Sequence, residues 1–181
     1  MIGNLYTTYG TSTSVINLTG AFQPVQGSNP RSILFDMKTL SSGNGPIIHT
    51  GTTDVLKAFG IYIYSSTILV YAWNANFHTT RVVNDGQWHS VLVTFDGNTL
   101  IVYIDGVIDG SVSASSWLSG RTLNTMGNTV MLGGNDSGEN TYYQGQLKNL
   151  KFYDYALSAF PVLPPSSSPT TIPTLLYSDG K

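Results

Sequence analysis

The chain has 181 residues, which suits one domain with a substantial buried core. Charged residues make up only 10% of it, with 8 Lys and Arg against 10 Asp and Glu, so we expect no basic surface that would bind nucleic acid or an anionic membrane. The absence of Cys excludes structural disulfides and thiolate metal sites, and no apolar run approaches the roughly 20 residues that insertion into a bilayer requires.

Short apolar runs separated by clusters of Gly, Asn, Asp and Ser predict an all-β protein. No segment keeps helical periodicity over ten residues. Many short strands with frequent turn signals are typical of an antiparallel two-sheet β-sandwich of the jelly-roll type. The predicted strands are, in chain order, Val15–Leu18, Ile33–Lys38, Ile47–His49, Phe59–Tyr64, Ile68–Ala72, Thr80–Val83, Trp88–Phe95, Thr99–Ile104, Val130–Leu132 and Gln146–Tyr153.

The alternation of apolar residues predicts which side chains face the core. Two strands between Asn84 and Gly106 are separated and flanked by Asp-Gly turns, since Gly tolerates the positive φ of a tight turn. One face of this hairpin carries Val91, Val93, Phe95, Leu100, Val102 and Ile104, whichever of two registers the turn selects. The last strand changes phase between Leu147 and Leu150, which a β-bulge would reconcile.

The composition changes after Phe160, where five of the eight prolines occur among Ser and Thr. Such a segment favours an extended polyproline conformation and predicts a stalk or linker. We therefore divide the chain into a domain at residues 1–160 and a tail at residues 161–181. An ordered strap that folds back through Ile172, Leu175 and Leu176 is the alternative.

Three blocks of sequence point to a known family. They are NDGQWHSVLVTFDG at 84–97 with its following strand, PRSILFDMK at 30–38, and GGN with YYQGQLKNLKFY between 133 and 153. In this order they resemble the concanavalin A-like lectin/glucanase superfamily, in its bacterial and viral laminin G-like branch. The resemblance implies a jelly-roll sandwich that serves as a binding module for glycans or proteins, and it does not name the ligand.

Catalysis is not expected from the acidic and histidine residues. A jelly-roll glycosidase needs a pair of carboxylates, usually Glu, but the chain has nine Asp and the single Glu139. Most of the Asp residues lie in Asp-Gly turns, and no hydrolase or lyase motif is present. The three His residues are far apart in sequence, and we interpret His89 as a hydrogen-bonded packing residue.

The loop GGNDSGENTYYQG, at residues 133–145, is a candidate Ca²⁺ site, because Ca²⁺ prefers carboxylate and carbonyl oxygens. Within it Asp136 and Glu139 would be metal ligands, and the resemblance adds Asp54 as the match to an acidic residue near the strand at Phe59. In the closing strand Lys148 and Asn149 stand where the family often has an acidic pair. No cofactor is required, Ca²⁺ is an optional ligand, and a solvated loop without metal is the alternative.

Sugar binding needs an apolar ring for stacking beside amide or carboxylate groups for hydroxyls. Two loops offer this combination: Trp73, Asn74, Asn76, Phe77 and His78 in the first, and Asn135, Asp136, Asn140 and Tyr142 in the second. In the alternative, Trp73 and Phe77 close the edge of the core. Tyr143 is expected in the core, Trp88 in or near it, and Trp117 as a surface anchor or a lid.

These features predict a non-catalytic, lectin-like module that binds a glycan on a cell or matrix surface. We expect it outside the cell or on a virion, although the first twenty residues lack a secretory signal. It would then leave the cell by another signal, or as part of a longer chain or virion. A structural or protein-interaction domain of a virion fibre, with a homo-oligomer, is the second hypothesis, and a polysaccharide-degrading enzyme is the third.

Overall fold

The computed structural model describes residues 6–10, 14–135, 137 and 141–161. Within them lie twelve strands and one short helix, α1 (Ala114–Trp117). The strands are β1 (Tyr6–Tyr9), β2 (Ile16–Asn17), β3 (Arg31–Lys38), β4 (Gly45–Gly51), β5 (Ala58–Tyr64), β6 (Thr67–Tyr71), β7 (Asn76–His78), β8 (His89–Phe95), β9 (Thr99–Ile104), β10 (Val107–Ser113), β11 (Val130–Leu132) and β12 (Gln144–Tyr153).

The strands form two antiparallel sheets of six strands each, as expected for a jelly-roll sandwich. The order in sheet I is β1-β12-β3-β8-β9-β10, and the order in sheet II is β2-β11-β4-β5-β6-β7. The tail predicted at 161–181 lies, apart from Pro161, outside the described residues. No helix in the described part of the chain has the length and hydrophobicity of a membrane span.

The core between the sheets confirms the predicted face of the central hairpin. All six residues of that face, on β8 and β9, are fully buried. The three Asp-Gly turns are also confirmed, with positive φ at Gly86, Gly97 and Gly106. Tyr143 lies in the core as expected. A register shift between Lys148 and Lys151 confirms the bulge in β12.

Two tryptophans differ from expectation. Trp117 is 4% exposed and packs edge-on against Phe59 and Phe95, with ring centroids 6.2 and 5.9 Å away. It is thus a core residue and not a surface anchor. Trp88 is 36% exposed, and the Lys148 ammonium lies 4.0 Å from its ring centroid, so the expectation of a core position was wrong.

The strand predicted at Thr80–Val83 is absent, and β10, where no strand was predicted, pairs with β9. The backbone N–H groups of Thr80 and Arg81 both donate to the Asp109 carboxylate, at 2.9 and 3.0 Å, instead of to a neighbouring strand. Asp109 itself lies at a register shift in β10. A side chain therefore satisfies the backbone donors that would otherwise need a ladder.

Residues 154–160 cross the outer face of sheet I. Leu34, Leu92 and Tyr103 form a second apolar cluster there, and Leu157 and Phe160 pack on it. The Leu157 N–H donates to the Ser32 hydroxyl at 2.9 Å, and its carbonyl accepts from Thr94 at 3.2 Å. The segment therefore covers part of this face with both apolar contacts and hydrogen bonds.

The Arg31 side chain organises the loop that precedes β3. It is 3% exposed and donates to the carbonyls of Val25 and Gly27 at 2.9 and 2.7 Å, and to the Thr125 hydroxyl at 2.8 Å. Burial lowers the pKa of Arg31 to about 10, which leaves it charged at neutral pH. Neutral carbonyl dipoles thus satisfy a buried cation.

Replacement of Arg31 by Met should lower the free energy of unfolding by about 3 kcal/mol, because several buried acceptors lose their donors together. Lys at this position should give a smaller loss, since it keeps the charge with fewer donors. Arg121→Met is the matched control, because Arg121 is exposed and also donates to two carbonyls. Urea unfolding, with the dependence of the free energy on urea concentration unchanged, measures the stability of the three variants. Equal losses of stability in Arg31→Met and Arg121→Met would show that the buried contacts of Arg31 are not the cause.

Candidate functional site

A row of tyrosines occupies the outer face of sheet II because side chains alternate along β5 and β6. In β5, Ile61 and Ile63 are buried in the core, so Tyr62 and Tyr64 point to the opposite face. In β6, Leu69 and Tyr71 take that outer face in the same way. The core pattern of these strands therefore sets the direction of the tyrosines.

The outward residues of three neighbouring strands enclose a groove. Leu69 pairs with both Tyr62 and His78 across the strands, and Tyr71 pairs with Asn76. The cavity measures about 260 Å³, with Leu69, 5% exposed, at its floor. We call it the outer groove; its lining residues are Asn44, Gly45, Tyr62, Tyr64, Leu69, Tyr71, Asn76 and Thr141.

Aromatic contacts extend beyond the groove itself. The ring centroids of Tyr62 and Tyr71 lie 5.4 Å apart, and those of Tyr71 and Trp73 lie 5.5 Å apart. Tyr64, which is 42% exposed, packs on His78 at 5.3 Å. Tyr62, Tyr71 and Trp73 thus form a chain of mutually tilted rings, and Tyr64 follows Tyr62 on the same face of β5; we call these four rings the aromatic row.

A glycine on β5, Gly60, leaves space for the Tyr62 ring, which lies over it. A Cβ at Gly60 would come within 2.5 Å of Cε2 of Tyr62, closer than real contacts allow. The ring therefore occupies the space that another residue would fill with its own side chain. Gly60 is paired with Tyr71, so its lack of a side chain also brings the two tyrosine rings together.

The first predicted loop is the β6–β7 hairpin at one end of the row. Trp73 and Asn74 have φ of 41° and 75°, and the Ala72 N–H donates to the Ala75 carbonyl at 3.0 Å. Positive φ at both central residues is typical of a tight two-residue turn. The turn places the Trp73 ring against that of Tyr71, and it places Asn76 among the residues that line the groove.

Phe77 does not line the groove beside Asn76, in contrast to the prediction that it binds ligand. It is partly buried against the core, because its neighbours on β7, Asn76 and His78, take the outer face. A Cβ at Gly110 in sheet I would lie 2.7 Å from Cζ of Phe77. Phe77 thus closes the edge of the sandwich, as in the alternative interpretation.

The second predicted loop borders the same groove from the β11 side. The Asn135 amide donates to the Tyr62 hydroxyl at 3.2 Å, and Thr141 lines the groove. Tyr142 is partly exposed, and its backbone crosses β4 so closely that a Cβ at Gly45 would lie 2.5 Å from its carbonyl carbon. The predicted residues Asp136, Glu139 and Asn140 lie outside the described residues.

Asp54 is remote from the two described residues that flank Asp136 and Glu139 in the sequence. Asn135 and Thr141, which flank Asp136 and Glu139, lie near the Gly45 end of β4, whereas Asp54 follows its Gly51 end. Seven residues of extended strand separate these ends by about 20 Å. Among the described residues there is no group of three His, Asp or Glu side chains suited to a metal.

The Asp54 carboxylate also has local partners. It accepts from the Lys57 ammonium at 2.6 Å and from the Val55 N–H at 2.7 Å. These contacts hold the pKa of Asp54 below its ordinary value. Asp54 therefore serves the turn between β4 and β5, and its role as a metal ligand with Asp136 and Glu139 stays a prediction.

The sequence interpretation did not select Tyr62, Tyr64, Tyr71, Leu69 or Asn44. The signal for three of them was present as period-two alternation in the segment AFGIYIYSSTILVY, where tyrosines occupy the positions between buried residues. No sequence signal places Asn44 and Thr141 beside them, because they lie far apart in the chain. They come beside the tyrosines only because the 141–143 segment passes close to the start of β4.

A separate cluster of titratable residues surrounds His89. Its Nδ1 lies 2.9 Å from the Asp105 carboxylate and its Nε2 lies 3.1 Å from that of Asp85. Arg81 contacts Asp105 from the solvent side at 3.5 Å. Both ring nitrogens thus face carboxylates, which supports the interpretation of His89 as a hydrogen-bonded packing residue.

Comparison with known proteins gives a family for this fold. The family model described as the concanavalin A-like lectin/glucanases superfamily, of the laminin G type, matches residues 12–162. The chain belongs to this superfamily. Human laminin subunit alpha-3 is 32% identical over 158 residues, covering 80% of the chain but 4% of the laminin subunit. The chain thus spans a small part of that relative.

Solved structures of the superfamily share the sandwich at low sequence identity. A heptameric SAP-like pentraxin from Limulus polyphemus has a TM-score of 0.61 at 18% identity, over 85% of this chain and 76% of the pentraxin. Mouse laminin alpha1 domains LG4-5 have a TM-score of 0.61 at 16% identity, over 88% of this chain and 46% of theirs. The LG1-3 region of the laminin alpha2 chain has a TM-score of 0.62 at 14% identity, over 89% of this chain and 34% of its own. These likenesses establish the fold.

The contribution of His89 to the stability of this laminin G-like domain should fall as the pH rises above about 6.5. Burial would lower the pKa of His89, but the hydrogen bonds and charges of Asp105 and Asp85 outweigh it and raise the pKa. A raised pKa in the folded state stabilises the protein fully below the unfolded value of about 6.5, and this contribution is lost as the pH rises through the folded pKa.

Urea unfolding between about pH 5 and pH 9 measures this change, and His89→Gln should remove it. His78→Gln is the control, because His78 is exposed and has no carboxylate partner among the described contacts. An unaltered pH dependence in the His89 variant would show that other groups cause it.

Proposed function

We propose that the chain is a non-catalytic glycan-binding module and that the outer groove is its binding site. The observation that carries the proposal is the row of tyrosines with amide groups beside it on a solvent-facing sheet. Aromatic rings stack on the C–H faces of pyranoses, and the amides of Asn44 and Asn76 can both donate to and accept from hydroxyls. Membership of a lectin-containing superfamily supports the same reading.

The chemistry of the lining favours recognition over turnover. The described lining residues are Tyr, Leu, Asn, Gly and Thr, which can hold and orient a sugar and include no carboxylate or His. Glycoside hydrolysis requires two carboxyl groups flanking the scissile bond. The chain has a single Glu for such a pair.

The proposal places the module outside the cell or on a virion surface, where it would attach its carrier to a glycan-bearing cell or matrix. The similarity to a laminin subunit supports an extracellular role. Ca²⁺ remains a proposed optional ligand of the 135–140 loop, without Asp54. Glycan-array screening, followed by calorimetry with and without Ca²⁺, tests the proposal; no binding to any glycan under either condition would refute it.

A second candidate function is a protein-interaction or structural domain of an oligomeric surface protein. The β9–β10 hairpin exposes Val107 and Ile108 by 64% and 56%, and such apolar groups favour contact with another protein surface. The pentraxin with a similar fold is heptameric. Analytical ultracentrifugation discriminates the two functions: a tight oligomer that covers the outer groove would favour this one.

Replacement of Tyr64 or Tyr71 by Ala should weaken binding of the array-selected glycan about tenfold, equivalent to about 1.4 kcal/mol, because each removes a stacking surface. Tyr155→Ala is the matched control, since Tyr155 is 52% exposed beside Tyr153 on sheet I. Calorimetry and thermal unfolding of each variant separate lost binding from lost folding. If Tyr155→Ala weakens binding as much as the groove variants, the site has been assigned to the wrong face.

A further inference from the structure

The outer groove is electrically neutral among its described lining residues. Arg121 donates to the Asn74 and Leu118 carbonyls at 3.2 and 3.1 Å, so this cation is held at the hairpin turn and is not a lining residue. A sulfate or carboxylate in the groove would lose water without meeting a positive partner.

The other positive side chains of the described residues lie elsewhere, with Arg81 beside Asp105. Lys38, Lys148 and Lys151 belong to β3 and β12 of sheet I, which is the opposite side of the sandwich. Arg31 is buried among carbonyls, and Lys57 is paired with Asp54. The distribution of charge therefore separates the aromatic face from the cationic face.

The aromatic row is longer than one sugar. Tyr64 and Tyr62 are two residues apart on one strand, which separates their Cα atoms by about 6.6 Å. The row then continues from Tyr62 to Tyr71 and to Trp73 in steps of 5.4 and 5.5 Å between ring centroids. Successive steps of this size are comparable with the length of a pyranose unit, so several units can meet a ring at the same time.

We infer that the outer groove binds an uncharged oligosaccharide of more than two sugar units, with its chain lying along the row from Tyr64 to Trp73. This inference rests on the proposed function and adds the class of ligand. Hydroxyl groups of the sugars would meet the Asn44 and Asn76 amides at the sides of the row. The side-chain amide oxygen of Asn44 accepts a hydrogen bond from the Ser65 N–H at 2.9 Å, which holds the amide group in place.

Calorimetry with graded probes tests the inference. The neutral probes are β-1,4-, β-1,3- and α-1,4-linked gluco-oligosaccharides and β-1,4-linked N-acetylglucosamine oligomers, from monosaccharide to hexasaccharide; the anionic probe is a heparin hexasaccharide. At least one neutral series should bind, with affinity rising at least tenfold from disaccharide to hexasaccharide. Its affinity should change less than about twofold between roughly 0.05 M and 0.5 M NaCl, since no ion pair forms.

Trp73→Ala separates the ends of the row. It should weaken hexasaccharide binding about tenfold and change disaccharide binding less than about twofold, because only the longer chain reaches Trp73. Trp88→Ala is the control, since Trp88 is 36% exposed on the other sheet. Tyr64→Ala should weaken both probes.

The outcomes distinguish this inference from the proposed function. Preferential, salt-sensitive binding of the heparin probe would overturn the inference while leaving glycan binding intact, as would equal affinity for disaccharide and hexasaccharide. Neutral binding that survives both Tyr64→Ala and Trp73→Ala would place the ligand elsewhere and overturn the inference. If none of the probes and no glycan on the array binds, the proposed function fails with it.

Discussion

The strict alternation of side chains along β5 and β6 is the constraint on which both the core and the outer groove depend. Burial of Ile61 and Ile63 between the sheets forces Tyr62 and Tyr64 to the other face, since neighbouring residues of a strand point in opposite directions. A shift of register by one residue would exchange the two sets, burying the tyrosines and exposing the isoleucines. The hydrophobic core thus holds the candidate binding surface in place.

The two outer faces of the sandwich differ in what covers them. On sheet I the segment at residues 154–160 packs over Leu34, Leu92 and Tyr103, so much of that face belongs to a second apolar cluster. On sheet II the rings from Tyr64 to Trp73 have no comparable cover among the described residues. The outer groove is therefore open on sheet II, although the side of sheet I also carries two exposed rings, Trp88 and Tyr155.

Family membership describes the scaffold, and the site has to be argued from its own residues. Solved structures with TM-scores near 0.6 share the sandwich at identities of 14 to 18%, a level at which loops and surface residues are free to differ. The outer groove depends on tyrosine positions, on Gly60 and on the closeness of two distant segments. These features belong to this chain and have to be tested in it.

The sequence by itself determined the all-β class, the inward face of β8 and β9, the positions of the Asp-Gly turns and the bulge in β12. Each of these follows from local periodicity or from backbone conformations that few residues adopt. The sequence also indicated the two loops that border the groove, as separate candidates. It failed where a distant side chain replaced a local pattern, as Asp109 does for the backbone at Thr80 and Arg81.

Only the tertiary structure decided that the two loops flank one groove with the β5 and β6 tyrosines as its wall, and that Phe77 closes the core edge. It also decided that the length of β4 separates Asp54 from Asn135 and Thr141. The physical reason is that strand periodicity gives the face of a residue, whereas its neighbours depend on which strands pair and on where the connecting segments cross. Those pairings are set by the collapse of the whole sandwich, which no local pattern records.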